Sequence, residues 1–161
     1  MIEIRKIKPE DNKIIESIIK EVMTEFGADP KTTVLGDPSI HSMYENYQTK
    51  NAIYYVALSE DKIVGGCGIK KLDGTNENIC ELQRMFLLSE ARGKKIGKQL
   101  LELCKNKARE FGYEKIYLES LKQMESARAL YEKQGFSPID HPLGNTAHGG
   151  CDIWMVLNLN F

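Results

Sequence analysis

The chain has 161 residues, enough for one domain over 1–161 that buries about two-thirds of its unfolded surface without a disulfide framework. With 22 basic against 23 acidic residues the formal charge is −1, so no global field draws in nucleic acid or an anionic membrane, and recognition must be local. A composition of 42% hydrophobic and 28% charged residues, with no apolar run near the roughly 18 residues of a membrane span and no leader pattern at the start, reads as a globular cytoplasmic protein.

Residues 2–7, IEIRKI, alternate apolar and polar with the period of a strand. After Pro9 the apolar residues Ile14, Ile15, Ile18, Ile19, Val22 and Phe26 recur at helical spacing, with acids in the first turn. Residues 27–38, GADPKTTVLGDP, hold two Gly and two Pro and read as a loop with the makings of a lid. A short helix is expected in SIHSMYENYQTK, then two strands in NAIYYVALSEDKIVGGCGIKKL joined at Glu60-Asp61-Lys62. A long apolar strand runs from Ile79 to Leu88, followed by a helix from Ile96, the strand EKIYLES, a helix through ARALYEKQG, and a last pair of strands around FSPI and CDIWMVLNL. The order predicts an α/β (α+β) architecture: a mixed sheet with helices on both faces. Cys67, Cys80, Cys104 and Cys151 lie in apolar stretches without paired spacing, which reads as reduced, buried thiols.

The turn before Ile96 carries the strongest chemical signal. Arg92, Lys94, Lys95 and Lys98 crowd a helix start with no acid among them, where the dipole is already positive. Each such charge costs about a few tenths of a kcal/mol unless an anion offsets it. Gly93 and Gly97 leave room for backbone to approach a bulky phosphate, and a pyrophosphate here resolves the conflict. A solvated basic turn is the competing reading. A Walker A loop is excluded, because three residues separate the glycines and Gln99 follows the lysine; a dinucleotide fingerprint fails because G-x-G-x-x-G is absent.

The succession ELQRMFLL, SEARGKKIGKQLLE, YLES and ARALYEKQGF resembles the GNAT superfamily of acetyl-CoA-dependent N-acetyltransferases, closely over residues 77–138 and loosely before them. The family's phosphate turn, [Q/R]-x-x-G-x-[G/A], reads here Arg92, Gly93, Lys94, Lys95, Ile96, Gly97, with Lys95 in place of the central glycine. The resemblance implies a mostly antiparallel sheet of about seven strands, with the coenzyme A pyrophosphate on the amides of the turn through Lys98. It also implies that main-chain groups at Met85, Phe86 and Leu87 beside a bulge pair with the pantetheine arm and polarise the thioester carbonyl. Tyr131 matches the tyrosine that protonates the departing thiolate in many members; Met124, seven residues earlier, stands where the family usually has Asn. Acetyl-CoA is then the co-substrate, no metal is expected, and the acceptor is a primary amine of a small molecule or peptide. A non-catalytic acyl-CoA sensor is the alternative.

Direct amine attack needs a base for the ammonium proton, donors for the oxyanion and an acid for the thiolate. Tyr131 is read as the acid or as core packing. Glu81, a charge in an apolar strand and in phase with Gln83, Met85 and Leu87, is read either as the base or as a strand charge paired with Arg84, Lys70 or Lys71 at a sheet edge. The stretch HPLGNTAHGGCD, with His141, His148, Cys151 and Asp152, has poor metal-ligand spacing and reads as a hairpin loop that brings His148 or Asp152 over the acceptor pocket. That pocket is expected between residues 26–50 and 139–152, with aromatic residues of MYENY, Tyr54 and Tyr55 as lining or core. An exposed last strand would offer an edge for a homodimer.

Overall fold

A computed structural model describes residues 1–146 and 149–159. Among them, seven strands form one sheet: β1 (Ile2–Lys6), β2 (Ile53–Ser59), β3 (Lys62–Lys71), β4 (Ile79–Leu87), β5 (Lys115–Ser120), β6 (Ser137–Ile139) and β7 (Ile153–Asn158), in the spatial order β1-β2-β3-β4-β5-β7-β6. Every neighbouring pair is antiparallel except β4 and β5, whose connection carries a crossover helix. The helices are α1 (Asn12–Glu25), α2 (Met43–Asn46), α3 (Ile96–Glu110) and α4 (Glu125–Lys133). This is the mixed, mostly antiparallel sheet the sequence predicts, with helices on both faces.

The two faces carry separate cores. On one, Ile15, Ile18, Ile19, Val22 and Met23 of α1 pack with Val56, Ile40, Met43 and Phe86. On the other, Leu100, Leu101, Cys104 and Ala108 of α3 pack with Cys67, Ile69, Leu82, Ile116, Tyr131 and Phe136. Each fully buried large aliphatic side chain contributes roughly 1.5–3 kcal/mol. The alternating β1 and the helical spacing in α1 and α3 therefore translate directly into layers. Cys67, Cys80 and Cys104 are buried free thiols and Cys151 is half-buried.

Two irregularities open the middle of this sheet. Between β3 and β4 the register runs from Gly68↔Gln83 to Gly66↔Phe86, so β4 carries one extra residue, and Arg84 takes a left-handed conformation with φ 53°. The Tyr54 hydroxyl donates to the Arg84 carbonyl at 2.7 Å, and the Tyr54 ring reaches it across Gly66 and Gly68. A Cβ at Gly66 would lie 2.5 Å from that ring, which accounts for the glycines of GGCG as sites of close approach. The second irregularity is a parting of strands. β4 and β5 pair only at Ile79↔Lys115, Cys80↔Ile116 and Glu81↔Tyr117, after which β5 keeps β7 as its partner along its whole length and β4 has none on that side.

Three sequence expectations change. The last strand is no free edge: β7 lies between β5 and β6, and the edges are β1 and the short, proline-containing β6. The loop 27–38 includes a 3-10 turn at Val34–Gly36 and is tied to the far loop, the Gly150 amide donating to the Thr32 carbonyl at 2.9 Å. Finally, the bulge inverts the phase of β4. Cys80 and Leu82 face the α3 side before it, whereas Met85 and Leu87 pack there after it, so Glu81 and Gln83 do not share a face with Met85 and Leu87.

Candidate active site

Where β4 leaves β5 a cavity of about 270 Å³ opens. Glu81, Gln83 and Met85 on β4, Glu119 on β5, and Met124 and Tyr131 at and within α4 all line it. Two candidate catalytic side chains, far apart in sequence, therefore meet in one space because the sheet comes apart between them.

Glu81 is 7% exposed. Burial pushes its carboxyl pKa up to about 7, opposed by a hydrogen bond from Gln83 and reinforced by the Glu119 carboxylate, with smaller opposing effects of Arg84 and Asp73. Gln83 Nε2 donates to Glu81 Oε1 at 2.8 Å, and the Tyr47 hydroxyl donates to Gln83 Oε1 at 2.7 Å. The pairing expected for a strand charge is not there. Lys70 Nζ bonds the Asn46 carbonyl at 3.0 Å, Lys71 Nζ bonds the Glu77 carbonyl, and the Arg84 guanidinium lies 3.1 Å from Asp37 and 3.0 Å from Met43 Sδ. β4 is also interior rather than at an edge. A buried carboxylate whose one side-chain donor among the described residues is an amide is poised to take a proton near neutral pH.

Tyr131 is buried, with its ring edge-on to Phe136 at 5.9 Å between centroids. Burial raises the pKa of its hydroxyl, which keeps the proton in place at neutral pH. Both readings of this residue thus have a footing: the ring is core and the side chain borders the cavity.

The turn before α3 lies beside the same strand. Gly93 has φ 77°, Lys95 sits at the N-cap with φ 64°, and no side chain caps the helix, so the amides of its first turn have no partner from a capping side chain. Lys94, Lys95 and Lys98 are exposed and form no ion pair among the described residues. A non-glycine residue held at positive φ is strained by roughly 1–2 kcal/mol, which explains why a glycine suits the position that Lys95 fills. Amides uncapped by a side chain, a dipole's positive end and three exposed lysines are a set whose chemistry suits a polyanion. Arg92 departs from this picture. Its guanidinium forms two bonds to Glu25, at 2.7 and 2.8 Å, bonds the Leu87 carbonyl at 2.9 Å, and lies 5.2 Å from the Phe26 ring centroid. An acid does attend the basic lip, supplied by the end of α1. Gly97 has a packing reason as well: a Cβ there would lie 3.0 Å from Leu130 and Met85.

The remaining candidates separate. Asp152 Oδ1 accepts from the Lys122 amide at 2.8 Å, and His141 bonds its neighbour Asp140 at 2.6 Å. His148 lies outside the described residues. Among those described, no group of three or more His, Cys, Asp or Glu is arranged to hold a metal, and no helix is long and apolar enough to cross a membrane. Tyr54 supports the bulge and Tyr55 packs on the α3 side. Sequence reasoning missed Glu119, which accepts from Tyr117 and Thr146 at 2.6 Å each, and the Tyr47–Gln83–Glu81 chain. Tyr47 was legible only as one aromatic of a candidate pocket, since no local spacing reports a contact with a residue 36 positions away.

Comparison with known proteins places the sequence and the fold. Residues 16–136 match the model of the acetyltransferase (GNAT) family. Over 157 residues, 96% of this chain and 93% of the relative, the sequence is 39% identical to the Escherichia coli K12 protein described as "uncharacterized N-acetyltransferase YjgM". The fold superposes with a TM-score of 0.88 on a GNAT-family acetyltransferase from Staphylococcus aureus Mu50, at 24% identity and covering 99% of this chain and 100% of that one. It also superposes with a TM-score of 0.69 on the PaiA N-acetyltransferase of Thermoplasma acidophilum in complex with coenzyme A, at 22% identity and 98% and 99% coverage. The two structural likenesses speak for the fold, and the family match over most of the chain speaks for the lineage: the chain belongs to the GNAT family of acetyltransferases.

Proposed function

We propose that the protein transfers the acetyl group of acetyl-CoA to a primary amine of a small molecule or peptide by direct attack, the whole chain serving as one catalytic domain. The observation that carries the reading is the cavity itself, where Glu81 and Tyr131 line one space at the parting of β4 and β5, beside an uncapped basic helix start. The donor set fits the co-substrate. The amides and lysines from Gly93 to Lys98 suit a diphosphate, and β4 from Met85 to Leu87, with no strand partner on its β5 side, suits an extended arm bearing amides. The structure of a coenzyme A complex of the Thermoplasma relative supports the same choice of ligand. Arg92 contributes its backbone and holds the turn against α1 rather than gripping phosphate with its side chain.

In this reading Glu81 Oε2 accepts the proton of the acceptor's ammonium, directly or through a water. The freed amine nitrogen bonds to the acyl carbon and a β4 amide holds the developing oxyanion; as the carbon–sulfur bond breaks the Tyr131 hydroxyl gives its proton to the sulfur, and the second nitrogen proton passes through water to the Tyr131 oxygen, leaving an amide, a thiol and a restored tyrosine. Asp73 and Glu119 beside Glu81 make that end of the cavity acidic, which suits an acceptor that arrives as a cation. Calorimetric titration with acetyl-CoA tests the first half of the reading: saturable binding is expected, and no heat at millimolar ligand removes it. Tyr131→Phe tests the second. It is expected to lower kcat by about 10² or more with coenzyme affinity spared; unchanged turnover makes the residue packing alone.

A further inference from the structure

We infer that Tyr47 and Gln83 are positioning residues that hold the Glu81 carboxylate ionised and turned, with Oε1 tied back and Oε2 left to the acceptor. The inference rests on the reading of Glu81 as the proton acceptor. Three side chains from two layers form one line: the Tyr47 hydroxyl is 2.7 Å from Gln83 Oε1, and Gln83 Nε2 is 2.8 Å from Glu81 Oε1. Tyr47 is 3% exposed, follows α2 directly, and leans on the Tyr54 ring at 5.1 Å between centroids. Tyr54 in turn bonds the carbonyl of the bulged Arg84, so the chain is anchored to the irregularity that opens the site.

The polarity of the line follows from what each group can donate. An ionised carboxylate only accepts, so the Gln83 amide must present its NH₂ to Glu81. Its oxygen then faces Tyr47, which must donate. Burial raises the Tyr47 pKa and keeps that proton in place. Every link therefore points a hydrogen toward Glu81, and the arrangement favours the anion. In a Glu81 protonated on Oε2, Oε1 is a neutral carbonyl oxygen that still accepts from Gln83 but more weakly than a carboxylate does, so the line stabilises the anion more than the acid. The tyrosine hydroxyl, two bonds removed from the carboxylate, thereby biases which protonation state the site stabilises. Removal of Gln83 from the line takes away the side-chain donor that opposes the burial of Glu81.

The other titratable and charged groups around Glu81 include Lys70, its cross-strand partner on β3, Asp73 beyond β3, Cys80 and Arg84 on β4, the latter with its partner Asp37, Tyr117 and Glu119 on β5, and Cys151 ahead of β7. The loop and helix elements above contribute Tyr47. Substitution at Tyr47 or Gln83 changes none of these charges, so a shift in Glu81 ionisation reports the line itself.

The experiment compares Tyr47→Phe, which keeps the ring, and Gln83→Met, which keeps the length, with the unaltered protein and with Glu81→Gln. Two readouts are taken: kcat/KM against pH with acetyl-CoA and an acceptor amine, and titration of the Glu81 side-chain carboxyl by carbon NMR in the free protein. For Gln83→Met the acid limb and the NMR midpoint are expected to rise together by about one to two pH units, the worth of one hydrogen bond to a charged group. For Tyr47→Phe both rise by a smaller amount, with the high-pH plateau retained. If both variants melt within a few degrees of the unaltered protein and neither midpoint moves, the inference is overturned while the role of Glu81 stands. If Glu81→Gln leaves the acid limb in place, Glu81 is not the proton acceptor, and the positioning role falls with it even where the NMR midpoint moves.

Discussion

Glu81 shows how burial of a carboxyl couples stability to pH. Its folded-state pKa, raised by burial to about 7, lies above the usual carboxyl value, so the native state binds the proton more tightly than the unfolded chain. The stability associated with the neutral acid is fully present below about pH 4.5 and is lost as pH rises through about 7. Glu81→Gln is therefore expected to be near neutral at pH 4.5 and to stabilise the fold at pH 8 by up to about 3 kcal/mol while abolishing transfer. Urea unfolding at the two pH values checks it, and equal effects at both would mean the carboxyl is not so shifted. Glu81 was legible in the sequence because a charge inside an apolar strand stands out. Its company was not: the cations nearest in sequence or register point elsewhere, and its donor is oriented from α2. The side-chain partner of Arg92 was hidden for the same reason, the carboxylate of Glu25 lying 67 positions upstream.

At the scale of the element, periodicity gave most strands and helices to within a few residues, because burial on one face of each is what the period records; the helix expected over residues 39–50 is shorter, Met43–Asn46 after a 3-10 turn. Periodicity failed at β4. A bulge whose extra residue is an arginine leaves no turn-like signature, so an unbroken alternation was read through it and Met85 was placed on the face of Glu81. The compensation lies on the neighbouring strand, where glycines let Tyr54 cross to the Arg84 carbonyl. Gly66→Ala sets a methyl against both the Tyr54 ring and the Tyr55 carbonyl, at 2.5 and 2.6 Å. The expected loss is about 1–3 kcal/mol, read from the denaturant midpoint. A neutral effect would show that the ring has room to move and that the clamp on the bulge is loose.

For the whole molecule the decisive feature is that β4 and β5 share just three paired positions, with one core on either side of the sheet. The sheet is two leaves on a short spine, and the seam where their pairing ends is also where the proposed binding site lies. A molecule threaded into that seam becomes mortar between the leaves. The protein is then loosest when idle and stiffest in mid-reaction, and amides of β5 and of β4 beyond Glu81 should exchange hydrogen about tenfold or more slowly once coenzyme A is saturating. Protection confined to the turn before α3 would mean that the leaves were already joined. If the slowing spans the seam, turnover is a cycle of gluing and ungluing, and the pace of product escape is written into the brevity of the spine.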